Sequence, residues 1–268
     1  MRKILVELKK RLTESIVEEI GNEKKIGVLF SAGIDSAIIS FLASKVCKVI
    51  NYTAGTKDSE DIAFAMNLRK NWKGKIKIII LNERKLEKEK ERLIKILEEN
   101  GIEKTKLNIA LTIPVYFASR EAKKDGIKVM LSGQGADVIF GGYARYLRMK
   151  EEERIKAMER DIEEVYRDLK RDLAVCKYNK IYLKFPYINK KVFYYAKKIP
   201  IEFKIYEIKN NQNKKEYDSV DGKKFIRKFV LRKLAQEIGI PIAIVKRKKK
   251  AMQYGSGSEK LLNRIEKF

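Results

Sequence analysis

The chain has 268 residues, 44% of them hydrophobic and 36% charged, enough for the core of one large α/β domain. No apolar run reaches the roughly 18 to 20 residues of a membrane span, and residues 1–20 (MRKILVELKKRLTESIVEEI) alternate apolar and charged positions at helical spacing, unlike a signal peptide; a cytoplasmic protein without membrane association is expected. Histidine is absent and the two cysteines, Cys47 and Cys176, lie far apart, which excludes a Cys/His zinc site and a Ser/His/Asp triad.

Lysine and arginine number 61 against 36 acidic residues, a formal charge of +25. Such a field attracts polyanions, tRNA included. A lysine-rich, histidine-free composition also fits a thermophilic or AT-rich coding bias, so charge alone does not assign a nucleic-acid partner.

Residues 2–20 predict an amphipathic helix, with Ile4, Leu5, Leu8, Leu12 and Ile16 on one face and Gly21-Asn22 ending it. Strand and helix signals then alternate. Residues 26–30 (IGVLF) predict a strand, 35–46 a helix, 48–53 (KVINYT, ending at Thr53) a second strand, 59–69 a helix and 76–81 (IKIIIL) a third strand. A charged helix over 85–99, a stretch holding Pro114 with a helical run to about Lys124, and a fourth strand at 127–131 (IKVML) follow. This order predicts a parallel, twisted sheet with helices on both faces, whose ligands bind outside the carboxyl ends of the strands. Beyond Ala136 helices dominate, so the chain divides into an N-terminal helix (1–20), an α/β core (21–150) and a helical portion (151–268) of the same domain. The Asn/Lys-rich stretch 209–218 is the best loop candidate.

Two loops carry the chemistry. Ser31-Ala32-Gly33-Ile34-Asp35-Ser36 lies between the first strand and its helix, where backbone N–H groups and hydroxyls face a bound phosphate. Asp35 does not suit a phosphate; its carboxylate suits the Mg²⁺ that neutralises a pyrophosphate leaving group. The run Leu131-Ser132-Gly133-Gln134-Gly135-Ala136-Asp137 repeats that logic after the fourth strand. Asp137, facing Asp35 across adjacent strand ends, would complete the metal site, with Ser132 and Gly133 on the nucleotide. The sequence lacks GxxxxGK[ST], so a Walker-type kinase or GTPase is not indicated.

The first loop resembles the PP-loop, SGGxDS, of the N-type ATP pyrophosphatases, with Ala32 for the first glycine of the pair. LSGQGADVIFGGYARY resembles LSGEGxDExFGGY of the asparagine synthetase C-terminal domain. Weaker similarity runs through Asp172-Leu173, through residues 184–189 (KFPYIN, like RxPFLD), through Leu231-Arg232 and through residues 247–257 (RKKKAMQYGSG, like RxKxxFQxGxG). The resemblance implies an adenine nucleotide alpha hydrolase-like fold, with ATP and Mg²⁺ bound by Ser31, Ala32, Gly33, Ile34, Asp35, Ser36, Thr53, Ser132, Gly133 and Asp137. It implies that Lys249 stabilises the charged intermediate, with Arg247 next in line.

Three departures bear on the product. Gln134 stands where the family's asparagine synthetases have a Glu linked to ammonia attack, and an amide cannot act as a base. Lys184 and Asn189 replace an Arg–Asp pair that can be bidentate. No glutaminase half is seen in the sequence, so free ammonia, ammonia from a separate glutaminase subunit, or a different nucleophile is expected. The leading expectation is therefore an ATP-dependent ligase that adenylates a small-molecule carboxylate, aspartate being one candidate. The alternatives are a tRNA-modifying PP-loop enzyme and a nonenzymatic ATP-binding subunit.

Overall fold

The computed structural model describes residues 1–208 and 218–265; the expected 209–218 loop lies, apart from Asp218, outside them. The elements run in order α1 Arg2–Ile20, β1 Lys25–Leu29, α2 Ile34–Ala43, β2 Lys48–Thr56, α3 Glu60–Leu68, β3 Lys75–Leu81, α4 Glu83–Glu99, α5 Lys106–Lys124, β4 Val129–Leu131 and α6 Ala136–Ile139. Then follow α7 Glu151–Tyr178, β5 Tyr182–Lys184, α8 Lys190–Lys198, α9 Ile201–Lys204, β6 Ile205–Glu207, β7 Asp218–Val220, β8 Lys223–Arg227, α10 Phe229–Glu237, α11 Ile242–Lys246, α12 Met252–Gly255 and α13 Ser258–Arg264. A short 3₁₀ turn spans Ala144–Arg148.

The strand order is β3-β2-β1-β4-β5, with every pair in that sheet parallel. Adjacent parallel strands need a crossover, and helices on both faces supply it. One core packs α1, α2 and α10 against one face through Leu8, Leu12, Ile38 and Leu234, with Ile26 and Val28 facing it. The other packs α4 and α5 over Tyr52, Ile79 and Met130. Strand order reverses between β1 and β4. That switch point leaves a crevice at the carboxyl ends of the two strands, and both glycine-rich loops leave from there.

The region after Ala136 is less helical than its pattern predicts. β5 joins the main sheet as an edge strand beside β4, and β6, β8 and β7 form a separate antiparallel sheet. Each of β5, β6 and β7 is three residues long, too short for an alternating signal, and Tyr182 at the start of β5 is exposed. β5 opens the KFPYIN segment, whose Lys184 and Asn189 do not pair with each other. Lys184 Nζ lies 3.6 Å from Glu19 and Asn189 Nδ2 donates to the same carboxylate at 3.5 Å, while Asn189 Oδ1 caps α8 by accepting from Lys191 N.

Pro114 sits inside α5 instead of ending a helix. A proline has no N–H for the carbonyl four residues back, here that of Ala110. Ser258, at the start of α13, donates its hydroxyl to Ala110 O at 2.7 Å and is fully buried. Ser258→Ala would leave that carbonyl without its hydroxyl donor, and urea unfolding should show a loss of about 1–3 kcal/mol; an unchanged midpoint would mean that the bond contributes nothing.

Candidate active site

The first loop turns sharply after β1. Ala32 takes φ 54°, a left-handed conformation that costs a side chain about 1–2 kcal/mol and that glycine adopts freely. Its methyl group is fully buried in the core beneath the loop, which offsets part of that cost. Ser31 Oγ accepts from Gly33 N at 3.2 Å and Ser36 Oγ donates to Gly33 O at 3.1 Å, so the loop is closed on itself before α2 begins. Thr53, on β2, donates its hydroxyl to Phe30 O at 2.6 Å, tying β2 to the start of the loop.

The second loop leaves β4 beside it. Ser132 N donates to Lys184 O of β5 at 2.9 Å, and Ser132 Oγ accepts from Gln134 N. A side chain on Gly133 would place its Cβ 3.0 Å from both Asp35 Cβ and Ser36 N. Any larger residue would have to push its neighbours back, so glycine suits this approach of the two loops, which brings Asp35 and Asp137 together.

Between the two carboxylates lies Lys228, whose side chain is 2% exposed. Its Nζ contacts Asp35 Oδ2 and lies 2.8 Å from Asp137 Oδ1. Lys249 Nζ lies 2.9 Å from Asp137 Oδ2. Burial is the largest influence on both acids. For Asp35 it outweighs Lys228, and the negative Asp137 adds to it, so the carboxyl is pushed above its usual range. Asp137 is pulled well below that range, because Lys228 and then Lys249 outweigh burial. The Lys249 ammonium, disfavoured by burial, is nevertheless held above its ordinary value by Asp137 and Asp35.

All of the sequence-predicted residues except Ala32 line a single cavity of about 560 Å³, within the range of small-molecule sites. Arg247 reaches it committed to the protein. Its guanidinium donates to Ser31 O and to Asp61 Oδ1, each at 2.5 Å, and stacks 4.3 Å from the Phe64 ring. It pins the C-terminal segment to the first loop. Gly255 packs on the same Asp61, where a Cβ would come 2.7 Å from Oδ1.

Gln134 turns away from the two aspartates. Its Nε2 donates to Asp172, a fully buried carboxylate that Arg171 Nε also contacts at 2.9 Å. Burial pushes the Asp172 carboxyl up, and Arg171 offsets this in part.

Sequence reading missed Lys228, Asp61, Arg171 and the role of Asp172. Lys228 stands in the basic run KKFIRKF, three residues before the family-like Leu231-Arg232, and nothing local separates it from other surface-type lysines. Its φ of 53° and its burial appear only in the fold.

The two carboxylates suit a divalent cation. Asp35 Oδ1 is buried without a hydrogen-bond partner, and carboxylate oxygens are the donors that a hard cation prefers. Among the described residues no cluster of three or more acidic, histidine or cysteine groups occurs. Asp35 and Asp137 could supply two carboxylate ligands, as in Mg²⁺ sites whose remaining ligands are water and substrate phosphates.

A doubly wound sheet with two glycine-rich loops at its switch point, meeting over two aspartates and two lysines, defines an α/β protein with a ligand site at the strand ends. The asparagine synthase family profile matches residues 7–181 and 156–268; the chain belongs to that family. A Methanocaldococcus jannaschii protein with the provisional name asparagine synthetase [glutamine-hydrolyzing] 1 is 35% identical over 280 residues, covering 97% of this chain and 51% of that protein. An asparagine synthetase domain-containing protein of Saccharomyces cerevisiae is 23% identical over 94% of this chain and 51% of its own length. Asparagine synthetase B [glutamine-hydrolyzing] of Escherichia coli is 28% identical over 51% of this chain and 27% of its own. The chain spans about half the length of the first two of these relatives. No helix among the described residues is long and apolar enough to cross a membrane.

Gln134→Glu would replace an amide donor with a second carboxylate facing buried Asp172. Like charge and burial would raise the folded pKa of the introduced carboxyl above its unfolded value of about 4.3. At low pH the protonated acid can donate as the amide does. As pH rises past the unfolded pKa the unfolded chain loses its proton first, so stability falls until the folded pKa is passed. Urea unfolding should show a loss of roughly 1–3 kcal/mol against wild type at pH 8 and a smaller one near pH 4.5; equal stability at pH 8 would mean the Gln134–Asp172 contact is not stabilising.

Proposed function

We propose that the chain is the synthetase portion of an asparagine synthetase-like, ATP-dependent ligase. A carboxylate oxygen of the acceptor attacks the α-phosphorus of ATP, the bond to the pyrophosphate oxygen breaks, and an acyl adenylate forms. Ammonia then attacks the acyl carbon, AMP leaves, and the nitrogen loses a proton to give the amide. Aspartate is the first acceptor to test, and the ammonia is free or supplied by a glutaminase. The observation that carries this reading is the convergence of Asp35, Asp137, Lys228 and Lys249 at the mouth of two glycine-rich loops, over one cavity, in a chain of the asparagine synthase family.

In this reading Ser31, Gly33, Ile34 and Ser36 cradle the pyrophosphate end through hydroxyls and the first N–H groups of α2. Thr53, Ser132 and Gly133 border the rest of the nucleotide. Asp35 and Asp137 would hold Mg²⁺, which when bound neutralises charge on the pyrophosphate leaving group. Lys228 and Lys249 bring two ammonium groups to the same place, fixed by burial and ion pairing. Negative charge building on the phosphates therefore meets cations that need not reorganise. Gln134, an amide, takes no proton; it holds the second loop to Asp172.

The formal charge of +25 supports a second reading, in which the activated oxygen belongs to tRNA. One experiment separates the two: MgATP, ammonium and either aspartate or total tRNA, with AMP and pyrophosphate measured. Aspartate-dependent AMP is the expected result; tRNA-dependent AMP would transfer the proposal to the modifying enzyme, and ATP binding without AMP in a panel of acids would favour a binding role. Asp35→Asn and Asp137→Asn should each lower Mg²⁺-dependent pyrophosphate release by roughly 100-fold or more, and full activity would remove them from the metal site.

Lys228→Met removes the buried cation between two partly buried carboxylates. In EDTA the variant should lose about 3–5 kcal/mol of stability, and Mg²⁺ should restore part of it by replacing the lost charge. A loss that Mg²⁺ leaves unchanged would argue that the metal binds elsewhere.

A further inference from the structure

A second cavity, of about 220 Å³, lies between α6, α7, α8 and α9 and shares no lining residue with the first. Val138 and Ile139 of α6, Met158 and Ile162 of α7, and Phe193 of α8 supply apolar walls. Lys204, the last residue of α9, is 8% exposed and lines the same space.

Lys204 differs from the other buried cations. Arg171 pairs with Asp168 and Asp172, Arg227 with Asp218, Lys228 with Asp35 and Asp137, and Arg232 donates to the carbonyls of Arg227, Val245 and Arg247. The Lys204 amine has no hydrogen bond or ion pair among the described residues. Burial and then Lys197 push it down to about 8, and Glu159 offsets this only in part. A largely buried amine whose charge is only partly offset is costly to keep, and a ligand that brings the opposite charge reduces that cost.

We propose that this cavity is a binding site for a small amphipathic monoanion, a carboxylate with a short apolar tail, whose charged end pairs with Lys204 Nζ and whose tail lies along the apolar walls. An engineered cavity of about 150 Å³ holds benzene, so 220 Å³ suits a tail of about five to eight carbons. Glu159 lines the cavity and lies 3.9 Å from Lys197 at its mouth; its negative charge disfavours a second charge on the ligand. Val138 and Ile139 follow Asp137 on α6, so the bound tail would touch the short helix that carries one acid of the main site.

Hexanoate is the probe, and hexan-1-ol is its uncharged counterpart. Calorimetric titration of the full chain should show one saturable site for hexanoate, with binding about tenfold or more weaker for hexan-1-ol and for Lys204→Met. Lys204→Arg should retain hexanoate binding. Ile155→Trp, at the cavity's exposed edge, should abolish it while leaving the far-ultraviolet circular dichroism unchanged, which keeps the test valid if Lys204→Met does not fold. Lys204→Met should melt no lower than wild type in the absence of probe, because no partner loses its contact. Equal binding of hexan-1-ol, undiminished hexanoate binding by Lys204→Met, or no saturable binding by wild type would overturn the proposal.

Discussion

The Lys228 ammonium sits between the carboxylates of Asp35 and Asp137, and the arrangement of the site follows from what that contact requires. Two acids with little solvent would repel each other without a cation between them. The lysine is delivered by β8 and the start of α10, far along the chain from both loops. Closing the contact therefore fixes the small antiparallel sheet against the carboxyl ends of the parallel one. Lys249 adds a second cation from the C-terminal segment, and the balance tips to an ionised Asp137 beside an Asp35 whose charge is resisted by burial.

The C-terminal segment is held by bonds to backbone that the sheet domain leaves available. Arg247 takes the carbonyl of Ser31 and the carboxylate of Asp61. Ser256 O accepts from Thr56 N at 2.9 Å at the end of β2. Ser258 supplies the donor that Pro114 cannot give to Ala110. These contacts set Lys249 at the rim of the cavity. The glycines and serines of QYGSG are thus explained by close packing on β2 and Asp61, apart from any contact with a ligand.

The two cavities illustrate opposite treatments of buried charge. In the larger one the buried cations Arg171, Arg227, Lys228 and Arg247 each have a carboxylate partner, so the arrangement is stable as it stands. In the smaller one Lys204 lies among apolar side chains, with the charge of Lys197 only partly offset by Glu159. The first arrangement fits a site whose cations are already held in place when phosphates arrive. The second fits a site whose ligand supplies what is missing.

The pattern of apolar runs and helical periods was sufficient for the first four strands, the parallel α/β class and both glycine-rich loops, because those signals are local and the inner strands β1, β2 and β4 are buried on both faces. The residues of those loops come together in the fold as their spacing after β1 and β4 predicts. The short strands β5 to β7 were not legible, since three residues carry no period and their pairing is decided by distant partners. Lys228 and Lys204 read in the sequence as two of 61 basic residues, and Gln134 reads as a lost base. Which lysine would lie between two aspartates, which would have no partner, and that Gln134 would reach Asp172 are consequences of chain segments meeting across the sheet. Sequence determined the elements and the loop chemistry, because these depend on neighbours in the chain; tertiary structure decided burial and charge pairing, because these depend on neighbours in space.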